Sequence, residues 1–178
     1  MLTLILGGAR SGKSRLAQKL ATPAGRVTYI ATAQTAEDAE MIARIARHRA
    51  DRPVFWQTTE EPVALANAVE QAAQTSDTIL VDCLTIWLSN LFWEHRDAPP
   101  EQVENAIRAE LPRIAEAARR CRVILVSNEL GCGTVPDIPL TRAFRDMQGL
   151  LNQWAADIAD EVILTVAGLP LYLKKNND

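Results

Sequence analysis

Apolar residues in this chain occur in two textures. Leu2 to Leu6, Val27 to Ala31, Ile79 to Val81, Val123 to Val126 and Val162 to Val166 are short, near-continuous runs. A strand apolar on both faces is covered on both faces, as in a parallel sheet between helical layers. Val54 to Thr58 is a sixth, more polar candidate and reads as an edge strand. Between the runs lie helically spaced stretches: Lys13 to Ala21, Ala36 to Ala50, Val63 to Gln74, Leu84 to Glu94, Glu101 to Arg120 and Leu140 to Ala159. Two of them carry start signals, Thr59-Glu60-Glu61-Pro62 and Pro99-Pro100-Glu101. The alternation predicts a three-layer α/β fold, a mostly parallel sheet with right-handed crossovers. Asn128 to Pro139, with Gly131, Gly133, Pro136 and Pro139, reads as a long ordered loop after a strand, a place where function concentrates. Lys174 to Asp178 reads as a polar tail that frays.

Composition narrows the class. The chain has 178 residues, 48% hydrophobic and 23% charged, which excludes disorder. There is no repeat, low-complexity tract or long linker, so residues 1–178 read as a single domain. A net charge of -3 argues against a nucleic-acid binder. Cys83, Cys121 and Cys132 are odd in number and lack metal-type spacing, which argues against a disulfide framework or a zinc knuckle. Met1 to Leu6 is apolar, but glycines and Arg10 end it too early for a signal peptide. No apolar run reaches the ~18 residues of a membrane span. The expectation is a soluble, cytoplasmic protein.

Gly7-Gly8-Ala9-Arg10-Ser11-Gly12-Lys13-Ser14 fits G-x-x-x-x-G-K-[ST], follows an apolar strand and opens a helical pattern. Glycines let the backbone turn so that successive N–H groups face a β-phosphate, aided by the helix N-terminus. Lys13 would neutralise the β- and γ-phosphates and the Ser14 hydroxyl would ligate Mg²⁺. Such a loop also needs a carboxylate at a neighbouring strand end. Asp82, closing Ile79-Leu80-Val81, is the preferred candidate, with Glu129 second. Asp82 also reads as a helix N-cap, a role compatible with metal binding.

No N-K-x-D guanine signature follows, which disfavours a regulatory GTPase. A motor or recombinase-type ATPase of this length would have to be oligomeric. A small-molecule kinase or a nucleotidyl transferase remains. In Asp38 to Pro53, helical spacing puts Glu40, Arg44, Arg47, His48 and Asp51 on one stripe, opposite Ile42, Ile45 and Ala46, with Arg49 and Arg52 close by. Neighbouring positive charge keeps His48 neutral, the form that attacks phosphorus. The arginines would stabilise a transferring phosphoryl or nucleotidyl group. Spacing alone favours a solvated helix face with an incidental histidine.

The sequence resembles the bifunctional adenosylcobinamide kinase/adenosylcobinamide-phosphate guanylyltransferase family of cobalamin biosynthesis over nearly its whole length. The resemblance rests on the opening loop, Tyr29-Ile30-Ala31-Thr32-Ala33, Arg44 to Pro53 with its H-R-x-x-R-P element, Trp56 and Val81-Asp82-Cys83-Leu84-Thr85. It continues through Ser127-Asn128-Glu129-Leu130-Gly131, Phe144-Arg145-Asp146, Leu151-Asn152-Gln153 and Ala159-Asp160-Glu161-Val162. It implies a RecA-like P-loop α/β fold and two reactions. In the first, the primary hydroxyl of adenosylcobinamide takes the γ-phosphoryl of ATP or GTP. In the second, His48 attacks the α-phosphorus of GTP, pyrophosphate leaves, and the covalent GMP passes to adenosylcobinamide phosphate. The product is adenosylcobinamide-GDP.

The implied nucleotide site comprises Gly7, Gly8, Ala9, Arg10, Ser11, Gly12, Lys13 and Ser14, the strand end Ala31, Thr32 and Ala33, and Arg49, Ala50, Asp51 and Arg52. Glu60 and Asp82 complete it, with Mg²⁺ on Ser14 and Asp82. Glu60 alone reads as a first-turn helix acid just as well. The base for the substrate hydroxyl stays open between Asp82 and Glu129. Family members are homo-oligomers, commonly trimers. Cys132 departs from the methionine many relatives carry there, a change that alters packing more than chemistry.

Overall fold

The computed structural model describes residues 1–23, 25–33, 53–99 and 101–175. The expected helix Ala36 to Ala50, and with it His48, Arg49, Ala50, Asp51 and Arg52, lies outside the described residues. The described elements are β1 (Leu2–Gly7), α1 (Lys13–Ala21), β2 (Val27–Ala31), β3 (Gln57–Glu60), α2 (Leu65–Ala72) and β4 (Thr78–Asp82). They continue with α3 (Leu84–Glu94), α4 (Glu101–Ala117), β5 (Arg122–Asn128), α5 (Pro139–Ile158), β6 (Glu161–Val166) and β7 (Leu169–Lys174).

The strands form one seven-stranded sheet in the order β3-β2-β4-β5-β1-β6-β7. All neighbouring pairs are parallel except β6–β7, a terminal antiparallel hairpin. Every residue of β1 is buried, as its unbroken apolar run requires. Side chains alternate between the faces of a strand. Leu2, Leu4 and Leu6 therefore join one core with α2 to α5, while Ile5 joins Leu80, Ile124, Val126 and Ala17 of α1 in the other. These two cores make the predicted three layers. Asp160 fixes the start of β1, its carboxylate accepting the Leu2 N–H at 2.6 Å.

Two expectations shift. The edge strand is Gln57–Glu60 rather than Val54 to Thr58, and it is exposed throughout, as an edge position allows. Its parallel pairing with β2 sets that register, and Val54 and Phe55 stay outside it in solvent. Beyond Val166, where the sequence reading placed no strand, the chain reverses and adds β7. Trp87 is buried and donates to the Val63 carbonyl at 2.7 Å, whereas Trp93 is 70% exposed.

Candidate active site

The described site residues converge on one edge of the sheet, where its parallel strands end. β1 finishes at Gly7, and the chain turns through residues 8–12 into α1. Arg10 and Gly12 have positive φ, 56° and 97°, which reverses the backbone; the second angle favours glycine. The Ser11 N–H donates to the Gly8 carbonyl at 3.3 Å and Lys13 Nζ donates to it at 3.0 Å. No side chain caps α1. Its first N–H groups and the positive end of its dipole thus meet the loop, an arrangement suited to an anion.

Ala31 ends β2, flanked in register by Glu60 of β3 and Asp82 of β4, so the two acids stand in one row along the sheet end. Leu80 packs in the α1-side core, and Asp82, two residues on, projects from that same face. Its Oδ2 accepts the Tyr29 hydroxyl at 2.7 Å. β5 lies between β4 and β1, so Glu129 follows the strand next to the loop and Asp82 ends the strand beyond it. The Glu129 N–H donates to the Gly7 carbonyl at 3.0 Å, while its Oε1 accepts the Gly131 N–H at 2.6 Å and turns toward the following loop.

Thr32 is buried, and its hydroxyl donates to the Cys83 carbonyl at 2.8 Å and accepts the Cys83 N–H at 2.9 Å, clasping the ends of β2 and β4 together. Asn90 donates to the Thr32 carbonyl at 2.8 Å. Burial, with the Asp82 charge adding to it, pushes the Cys83 thiol up to about 11. The thiol is therefore protonated at neutral pH and is no nucleophile.

Among the described residues no three His, Cys, Asp or Glu side chains gather as a metal cage. Arg142 donates to the Pro136 and Asp137 carbonyls, each at 2.8 Å. Arg145 pairs with Asp146 at 3.0 Å.

Two contacts at the site join residues far apart in the sequence. The Tyr29 phenol reaches Asp82 across the β2–β4 pair, and the β6–β7 turn touches the loop at Ser11. The positions of Gly168 and Pro170 were the only turn signal available for the latter.

No helix among the described residues is long and apolar enough to cross a membrane. The fold is similar to that of a solved ATPase from the type III secretion system of pathogenic bacteria, with a TM-score of 0.61 at 15% identity. The match covers 96% of this chain but 56% of that one. That likeness places the sheet among RecA-like P-loop folds. Among curated proteins, the chain is 50% identical over 175 residues to the bifunctional adenosylcobalamin biosynthesis protein CobP of Pseudomonas aeruginosa, covering 98% of each. It is 40% and 42% identical to the proteins named CobU of Escherichia coli and Salmonella typhimurium, covering 98% of this chain and 100% of each relative. Residues 3–173 match the profile of the cobinamide kinase/cobinamide phosphate guanyltransferase family. With that profile spanning nearly the whole chain and half of all positions shared with one full-length relative, the protein belongs to this family of transferases.

Proposed function

We propose that the protein carries out both family reactions in the cytoplasm. It phosphorylates the hydroxyl of adenosylcobinamide with ATP or GTP. It then transfers GMP from GTP, through a covalent GMP–histidine, to the phosphate of adenosylcobinamide phosphate, giving adenosylcobinamide-GDP and pyrophosphate. The observation that carries the reading is the phosphate loop at the end of β1, with Asp82 projecting from the sheet face that α1 covers. Gly7 to Ser14 would grip the triphosphate, and Ala31, Thr32, Ala33 and Glu60 would border it. Lys13 would neutralise it, and Mg²⁺ held by Ser14 and Asp82 would withdraw charge from its oxygens. His48 would be the nucleophile, with Arg49, Ala50, Asp51 and Arg52 beside the nucleotide. The phosphoramidate divides one displacement between two anions into two displacements at a screened phosphorus.

The active form is a homo-oligomer, a trimer by family resemblance, within which residues 1–178 act as a single domain. Val166, Leu169, Leu171 and Leu173 are 56–71% exposed on one face of the β6–β7 hairpin, apolar surface that subunit contact would bury. Intact mass after incubation with GTP and Mg²⁺ tests the covalent step. The wild type is expected to gain one acid-labile, base-stable GMP, and His48→Ala none. An adduct persisting in that variant, or a wild type that transfers only the γ-phosphoryl, refutes the role of His48.

A further inference from the structure

The far hairpin of the sheet presses on the phosphate loop. β6 and β7 are joined by Ala167 and Gly168, both with positive φ, 52° and 80°. Two such residues turn the chain with a twist that suits the strands they join. The Gly168 N–H donates to the Ser11 carbonyl at 2.8 Å. A Cβ on Gly12 would stand 3.1 Å from Gly168 Cα, and one on Gly7 only 2.7 Å from the Thr165 carbonyl oxygen. The loop and hairpin are thus in van der Waals contact at both ends of the loop.

We propose that the Ala167–Gly168 turn braces the phosphate loop, with Gly168 as a positioning residue that fixes the sense of the Ser11–Gly12 peptide. This rests on the reading of the loop as a nucleotide site. In a trans peptide the C=O and N–H point in opposite directions. With the Ser11 carbonyl held by the turn, the Gly12 N–H points away from the hairpin, to the side open to phosphate. Gly12 tolerates either sense of that peptide, because glycine has no Cβ to forbid the flip. A flipped peptide would aim a carbonyl at the triphosphate and replace attraction with repulsion. The Gly168 amide removes that alternative before the ligand arrives.

The test is calorimetric titration of the full chain with GDP and Mg²⁺, for the wild type and three variants. Gly168→Val disfavours the positive φ and displaces the amide; it is expected to bind roughly tenfold or more weakly, the scale of one lost polar anchor. Gly168→Asn keeps the amide and tolerates that backbone conformation, so binding should return close to wild type. Tyr172→Ala weakens the same hairpin away from the turn and should lower the melting temperature while leaving affinity unchanged. Wild-type affinity in Gly168→Val, or an equal loss in Tyr172→Ala, overturns the brace. Hydrogen exchange on the wild type needs no variant. GDP should slow exchange in the segment 165–169, and no change there also overturns the proposal. A wild type that fails to bind GDP refutes the nucleotide reading itself.

Discussion

At the scale of single residues, the site shows how a neighbour decides what a group does. Cys83 adjoins the preferred metal carboxylate and would be a tempting nucleophile, yet burial and the Asp82 charge raise its thiol from an ordinary 9.0 to about 11. The linkage has a definite sign. Between those values the unfolded thiol has lost its proton while the folded one keeps it, so stability is full below pH 9 and falls as pH rises toward 11. Cys83→Ala is expected to flatten that alkaline decline in urea unfolding, and an unchanged slope would refute the assignment. Alkylation of the native protein at neutral pH should mark exposed Cys132 and spare Cys83. The turn from β1 into α1 was legible in the sequence because it is a local object: eight consecutive residues dictate its backbone. The Tyr29–Asp82 bond was not, because it joins residues 53 apart that only strand pairing makes adjacent.

At the scale of elements, a buried polar cluster locks α5 to the end of β5. Ser127 Oγ bonds Asn152 Oδ1 at 2.7 Å, and Gln148 Nε2 donates to both at 3.0 Å. Asn152 Nδ2 donates to the Asn128 carbonyl at 3.0 Å, holding the strand end from which Glu129 follows. Asn152→Leu strands several of these groups in a dry site, and should cost about 1–3 kcal/mol in urea unfolding. A cost near zero would mean that the cluster is replaceable by apolar packing. α1 and α3 match their sequence expectations to the residue, since each starts where a glycine-rich turn or a strand end leaves no alternative. β7 escaped notice for a physical reason. Pro170 counts against a strand among the alternating leucines, and all six residues are exposed, so burial does not announce one. Among the described residues its strand partner is β6.

At the scale of the whole molecule, the exposed leucines of β7 make an oligomer testable. Leu171→Glu places a charge within the apolar strip and is expected to shift sedimentation toward the monomer, with the far-ultraviolet spectrum intact. A variant that sediments like the wild type would place the contact elsewhere. The fold class was legible because six strands alternate with helices along the chain; the sheet order was not, because it is a choice among long-range pairings. That order has its own consequence. The phosphate loop is synthesised before β5 and β6, yet β1 lies between those two strands, and the loop's brace comes later still. Until those later strands are made, a nascent chain therefore carries its most recognisable motif without the partners that shape it. Competence to grip a nucleotide should appear late and abruptly, as the second hairpin strand leaves the ribosome.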